Sequence, residues 1–301
     1  MSNKVAGLVI ATALLGLAGC GSGGPSAPVT SAPVTFASVQ PTKVTKLLVF
    51  VVENHSLDQM RAAMPYTTAV VKQYADATNY RAVTHPSLPN YLAMTGGSTF
   101  GVADDAPPSS HTTDQPSVFG QALAVGRTAK VYAEGMPGNC ATEDSGQYVV
   151  KHNPWAYYRS ERSACARYDV PATELRGDVA SGRLPNAGMV VPDLCNDAHN
   201  CDLSVADDWL RTEIEAVMAG PDWLAGHLAI VVTADEDDHH QDNLVLTTVA
   251  HPSLHGAVVT TPLTHYSLAR LYSEVLAAEP LGEAAAAPSM ATAFGLDLTG
   301  R

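Results

Sequence analysis

Three short polar clusters carry most of the side chains that could do chemistry: Glu53-Asn54-His55-Ser56, His85-Pro86-Ser87-Leu88-Pro89-Asn90-Tyr91 and Thr233-Ala234-Asp235-Glu236-Asp237-Asp238. A serine hydroxyl attacks well at neutral pH only when a base or a metal lowers its pKa and a positive field receives the reacting group. The clusters supply candidates for both. Glu53, Asn54, Asp235 and Glu236, with Ser87 itself, form an all-oxygen ligand set. Such a set suits one hard divalent cation, Mg²⁺, Ca²⁺ or Mn²⁺, and leaves carboxylate-bound Zn²⁺ open. A helix starting at Ser87 would add free amides and a dipole to seat a phosphate oxygen, and Asn90, one turn on, could donate its amide to the same group. These are the parts of phosphoester hydrolysis. Taken singly, each cluster has an ordinary alternative: Ser87 as a helix cap, the acidic groups as solvated loops. Their joint placement at element ends favours chemistry.

The elements that must position these groups show in the flanking patterns. Leu47–Val52 and Leu228–Val232 are unbroken apolar runs, the pattern of parallel strands buried on both faces. Polar side chains at the C-terminal ends of such strands converge on one crevice. Ser87–Thr95 reads as a helix, with Pro89 just inside it and Gly96-Gly97 closing it. Further helices are predicted near Thr68–Ala77, over Ser117–Val125 with Gly126 just past the end, and over Ser204–Ala219 with Ser204 as N-cap and Asp207 and Asp208 in the first turn. A final amphipathic helix follows Thr264, carrying Leu268, Leu271, Tyr272 and Val275 on one face. Val131–Ala133, Ala187–Val191 and Leu244–Val249 read as strands. The alternation predicts an α/β fold, a doubly wound sheet with helices on both faces, in a single domain over residues 42–301 without internal repeats.

The front of the chain bears on location. A short polar start with Lys4, an apolar Val5–Ala18 too short to span a bilayer comfortably, and Leu17-Ala18-Gly19-Cys20 together form a lipoprotein signal pattern over residues 1–19. An uncleaved membrane anchor is the alternative. Residues 20–41, rich in Gly, Ser, Pro and Ala, read as a tether. The expectation is an extracytoplasmic bacterial lipoprotein held at the membrane through lipidated Cys20. A net charge of −13 argues against nucleic acid as a partner and gives no polybasic patch for anionic lipid. Cys140, Cys165, Cys195 and Cys201 remain, an even number that suits two disulfides in an oxidising compartment. Of the possible connectivities, Cys140 with Cys165 and Cys195 with Cys201 close local loops and are favoured.

Glu53-Asn54-His55-Ser56-Leu57-Asp58 resembles the E-N-x-S-F-D signature of the phosphoesterase family that includes bacterial phospholipases C and acid phosphatases. The segments from His85 to Ala93, Lys151 to Trp155, Pro192 to Cys201 and Asp235 to Asp238 resemble its acid phosphatase branch, in which phosphatidylinositol 3-phosphate is a substrate. The resemblance implies an alkaline-phosphatase-like fold and a phosphoseryl intermediate. It makes Ser87 the nucleophile, Glu53, Asn54, Asp235 and Glu236 metal ligands, and Asn90 a phosphate contact, with a phosphomonoester, such as a phosphoinositide, as substrate. Tyr91 stands where sulfatases of that superfamily need arginine for formylglycine formation, which disfavours a sulfatase. Asp235-Glu236-Asp237 replaces the usual second metal motif, so a single metal is expected.

With one metal fewer, protonated His152 and His199 are expected to supply positive charge to the transferring phosphoryl group, which implies an acid pH optimum. His85 reads either as a support for the metal ligands or as a turn residue, and His265 remains open. Trp155, Trp209 and Trp223 read as core. Two other classes compete: a phospholipase C acting on a phosphodiester, and a non-catalytic surface lipoprotein that binds a phosphorylated ligand.

Overall fold

The computed structural model describes residues 43–298. The signal, tether and Cys20 readings lie outside the described residues. Ten strands run β1 Lys46–Val52, β2 Ala75–Ala77, β3 Tyr80–Arg81, β4 Ala129–Ala133, β5 Asp169–Pro171, β6 Ala187–Val191, β7 Leu228–Ala234, β8 Thr247–Ala250, β9 Ala257–Val259 and β10 Leu263–Thr264 among the described residues. The helices are α1 Leu57–Ala63, α2 Pro65–Gln73, α3 Ser87–Gly96, α4 Val118–Ala124, α5 Arg162–Tyr168, α6 Leu175–Ala180, α7 Leu203–Met218, α8 Pro221–Leu224, α9 His265–Leu276 and α10 Met290–Phe294.

Eight strands form one sheet in the order β5-β4-β6-β1-β7-β8-β2-β9. The five from β5 to β7 are mutually parallel, and β8 runs antiparallel to β7. Strands β1 and β7 hold the centre of the sheet. Every residue of β1 after Lys46 and all of β7 are buried, as their apolar runs require of strands covered on both faces. Helices α3, α4, α9 and α10 pack together as one group, and α1, α2, α6, α7 and α8 as another. The architecture is therefore the expected α/β one, a large sheet flanked by helices.

Several boundaries differ from the sequence expectation, each for a tertiary reason. The helix expected near 68–77 is α2, which starts at Pro65 and stops before Ala75-Asp76-Ala77; those three residues join the sheet edge beside β8 and β9. Helix α7 starts at Leu203, with Asp202 rather than Ser204 in the N-cap position, so Asp207 falls beyond the first turn. The Asp207 carboxylate instead accepts from the Tyr66 and Thr67 amides at 2.8 Å each, capping the open start of α2 across the fold. The late strand begins at Thr247, not Leu244. Two expected ends hold. Gly126 (φ +71°) follows α4, and Thr264 forms a capping box with Ser267 at the start of α9. Leu268, Leu271, Tyr272 and Val275 of α9 are all buried, and α10 follows it in the chain.

Both disulfides pair as expected: Cys140–Cys165 with Cα atoms 5.3 Å apart, and Cys195–Cys201 at 4.8 Å. No helix among the described residues is long and apolar enough to cross a membrane.

Candidate active site

The parallel register of β1 and β7 builds the site. Val52 lies opposite Ala234, so the next residues, Glu53 and Asp235, leave the sheet side by side at its C-terminal edge. The Asp235 amide donates to Val52 O at 3.1 Å, and the Asn54 amide to Asp235 Oδ1 at 3.3 Å. Asn54 turns with φ +41°, a left-handed conformation that asparagine tolerates better than most residues. Glu53, Ser87 and Asp235 are fully buried, and Glu236 nearly so.

Helix α3 brings the serine to these carboxylates. Ser87 is its first residue, and the helix is buried along its whole length. Gly97 ends it with φ +66°, in a place where a Cβ would meet Leu281 O at 2.1 Å. Ser87 Oγ lies 3.3 Å from Glu53 Oε2, 3.4 Å from Glu236 Oε1 and 3.5 Å from Lys151 Nζ. The nucleophile candidate thus faces two carboxylates and one ammonium.

The acidic run after β7 divides by direction. Asp235 and Glu236 face the serine. Asp237 instead accepts from the His239, Gln241 and Asn243 amides, and Asp238 binds Ser56 and Gln59, tying the two strand-end loops together. His85 meets Glu236 Oε2 at 2.8 Å and Asp237 Oδ1 at 3.2 Å, so it supports the acidic run rather than merely turning the chain. His265 is buried, with Nε2 2.6 Å from Asp235 O and Nδ1 3.0 Å from the Tyr80 hydroxyl; burial pushes its pKa down to about 4. It braces the Asp235 backbone as a neutral ring. Tyr91 donates its hydroxyl to Glu53 Oε1 at 2.5 Å, so the residue standing in the arginine's place holds a carboxylate of the site.

Burial raises the pKa of Glu53, Asp235 and Glu236, and Asp235 adds repulsion at both glutamates. Several buried oxygens and a nitrogen pair have no hydrogen-bonded partner: Asn54 Oδ1, Asp235 Oδ2, Asp197 Oδ2 and both His152 ring nitrogens. Orphaned hard oxygens on Asn54 and Asp235, crowded carboxylates and a nearby serine fit a divalent cation, which would supply their missing partner. Glu53, His152 and Asp197 form a second buried group with ligand atoms within 4.8 Å of one another.

Two of the expected site residues have other partners in this structure. Asn90 was expected to face a phosphate. Its Oδ1 accepts from the Val83 and Thr84 amides, and its Nδ2 donates to Thr84 O and Pro86 O, which commits the whole amide to shaping the turn before α3. His152 was expected to be a cation. It is buried 3.2 Å from both Glu53 and Asp197 without hydrogen-bond alignment, and burial, then Lys151 and His199, hold its pKa well below the usual value. His199 is exposed, with Nδ1 2.9 Å from Asn200 Oδ1 and its ring 5.9 Å from that of His152.

Lys151 is the cation the sequence reading missed. Burial opposes its charge, but Glu53, Asp105 and Asp235 outweigh burial and raise its pKa. Asp105 Oδ2 accepts from Lys151 at 3.1 Å, and its Oδ1 from the Leu88 amide at 2.9 Å. Asp197 was missed too. It sits inside the Cys195–Cys201 loop, and its carbonyl accepts from the Glu53 amide at 2.8 Å.

The fold is shared with a solved protein of the alkaline phosphatase superfamily from Vibrio parahaemolyticus, with a TM-score of 0.56 at 9% identity over 82% of this chain and 71% of that one. A Phosphoesterase family profile matches residues 53–266, a span that holds every site residue above, and the chain belongs to that family. Among its relatives is a phosphatidylinositol-3-phosphatase of Mycobacterium tuberculosis, 27% identical over 86% of this chain and 85% of that protein. An acid phosphatase of Aspergillus fumigatus is 30% identical over 64% of this chain, which spans only 46% of the fungal enzyme. The family makes the chain a hydrolase of phosphoric esters.

Proposed function

We propose that the chain is a phosphomonoesterase of the acid phosphatase type that works through a phosphoseryl intermediate on Ser87. The observation that carries this reading is the placement of Ser87 Oγ, at the start of a buried helix, between Glu53, Glu236 and Lys151. Ser87 Oγ bonds to phosphorus as the P–O bond to the alcohol breaks; water then attacks the phosphoserine, freeing inorganic phosphate and returning the serine.

Glu53, Asn54, Ser87, Asp235 and Glu236 would hold one divalent metal, and their oxygens favour Mg²⁺, Ca²⁺ or Mn²⁺. The ion supplies charge stabilisation at the serine oxygen and the phosphoryl group when bound. Lys151 adds positive charge beside Ser87 Oγ, and His199, exposed near His152, keeps the role expected of it. Tyr91 fixes one oxygen of Glu53, His85 orients Glu236, and His265 anchors the Asp235 backbone.

Phosphatidylinositol 3-phosphate is the first substrate to test, because the mycobacterial relative bears that activity in its name. The same reading places the enzyme outside the cytoplasm, tethered through a lipid on Cys20, and the two disulfides support an oxidising compartment. The test is turnover of a panel of phosphomonoesters and diesters by the intact chain and by Ser87→Ala, with metal analysis of the same samples. Monoester hydrolysis that Ser87→Ala abolishes in a folded protein is the expected result. Wild-type rates in that variant, or a preference for diesters, would overturn the assignment.

A further inference from the structure

The seat that a phosphoryl group needs beside Ser87 is filled by the protein itself. Leu88 follows the nucleophile in α3, and its amide is one of the donors that a helix start leaves without an intrahelical partner. Such an amide, with an ammonium beside it, makes an anion seat at a helix N-terminus. Asp105, from the loop between α3 and α4, occupies it: Oδ1 takes the Leu88 N–H at 2.9 Å and Oδ2 takes Lys151 Nζ at 3.1 Å. Lys151 Nζ is at the same time 3.5 Å from Ser87 Oγ. A phosphoryl group on Ser87 would turn its oxygens towards these same donors, presenting two on one face as a carboxylate does.

Both anions cannot stay. Glu53, Asp235 and Glu236 already crowd the pocket, and Asp105 itself adds to the repulsion at Glu236. The Asp105 side chain is 29% exposed, so water can receive it if it swings out. The rest of its loop has separate anchors. Asp104 Oδ1 accepts the Ala106 amide and meets His111 Nε2, and the Tyr157 hydroxyl donates to Ala106 O at 3.2 Å. A rotation of one side chain therefore opens the seat without unfolding the loop.

We propose that Asp105 is an internal competitor for the phosphoryl group: it closes the seat formed by Leu88 N–H and Lys151 in the resting enzyme, is displaced by substrate phosphate, and returns to hasten release of inorganic phosphate. This inference rests on the serine phosphatase reading of the same site. A closed form that outweighs the open one by about nine to one would weaken apparent phosphate affinity about tenfold.

Asp105→Asn keeps the size and shape and removes the charge. Its KM for p-nitrophenyl phosphate and its Ki for inorganic phosphate should both fall about tenfold, with kcat unchanged or lower because phosphate leaves more slowly. Asp104→Asn, in the same loop, should change neither constant. An unchanged or higher Ki for Asp105→Asn, with a lower kcat, would mean that Asp105 merely positions Lys151 and would overturn the proposal. Wild-type enzyme gives a second readout that needs no variant. Saturating inorganic phosphate should speed hydrogen exchange in the segment 98–115 as Asp105 lets go, and slower or unchanged exchange there would refute displacement. Monoester turnover by the wild type, lost in Ser87→Ala, checks the parent reading separately, so a failure at Asp105 with that turnover intact sinks this inference alone.

Discussion

Replacing Lys151 by methionine tests whether a lysine, rather than a protonated histidine, carries the positive charge of the site. Methionine keeps most of the apolar stem and deletes the ammonium, which lies 3.5 Å from Ser87 Oγ. Two unit charges at that separation interact by about 5 kcal/mol at an effective dielectric of about 20. Only part of a charge develops on the serine and phosphoryl oxygens, and Lys151 is 20% exposed to water, so less than that survives. About 3–4 kcal/mol is the usual cost of deleting one preorganised donor to a developing oxyanion, a loss of about 10²- to 10³-fold in rate. Steady-state kinetics on p-nitrophenyl phosphate would read that loss in kcat/KM, and acid quenching with mass spectrometry would show whether less phosphoserine forms on Ser87. The double variant Lys151→Met/Asp105→Asn separates the lost donor from repulsion by an unpaired Asp105. If Lys151→Met stays within about threefold of wild-type kcat/KM, the lysine is not part of the chemistry.

Two further predictions concern the scaffold. In the chain-entropy model, removing Cys140–Cys165, with a sequence separation of 25, costs about 3.5 kcal/mol, and removing Cys195–Cys201, with a separation of 6, about 2 kcal/mol. Paired Cys→Ala variants should therefore unfold in that order in urea, while activity should suffer more from the second pair, whose loop carries Asp197; the reverse order in both measurements would contradict the loop's role. Burial raises the pKa of Asp169 to about 8, against the partly offsetting hydrogen bond from Asn153. The folded state then keeps a proton that the unfolded chain has lost, so this group's contribution to stability is full below its ordinary pKa and drains away as pH rises towards about 8. Asp169→Asn should flatten the thermal midpoint between about pH 5 and 8, and parallel wild-type and variant curves would show that the carboxyl ionises normally.

The parts of the fold visible in the sequence are those whose burial leaves a pattern. Strands β1 and β7 are covered on both faces, so Leu47–Val52 and Leu228–Val232 had to be continuously apolar, and the polar residues just after them had to mark the sheet edge. Strand β2 left no such mark, because Ala75-Asp76-Ala77 is too short to show a period and is held by its neighbours. Local spacing was equally blind to the cap that Asp207 gives α2 from another helix. At the site, Ser87, Glu53, Asp235 and Glu236 lie together because motif, strand end and helix start coincide. Asn90 has the right spacing for a phosphate contact, yet the turn ahead of α3 takes its amide. Lys151 and Asp105 pair across 46 residues, which no local pattern reports. The available signal was a single lysine beside a motif histidine in a chain with 17 lysines and arginines against 30 acidic residues.

Charge balance ties these residues to the number of ions that the site takes. Glu53, Asp235 and Glu236 bring three negative charges to the serine when ionised, and burial resists that ionisation. On the proposed reading, one divalent ion and Lys151 offset all three. The other acids nearby are already occupied: Asp237 by backbone amides and His85, Asp238 by Ser56 and Gln59, and Asp105 by Leu88 and Lys151. Asp197 faces His152, whose low basicity leaves it a neutral neighbour. A second ion would have to share Glu53 with His152 and Asp197, whose ligand atoms lie within 4.8 Å of one another, and so would compete for a carboxylate that faces Ser87. A single metal assisted by a lysine is therefore the arrangement we propose for this pocket.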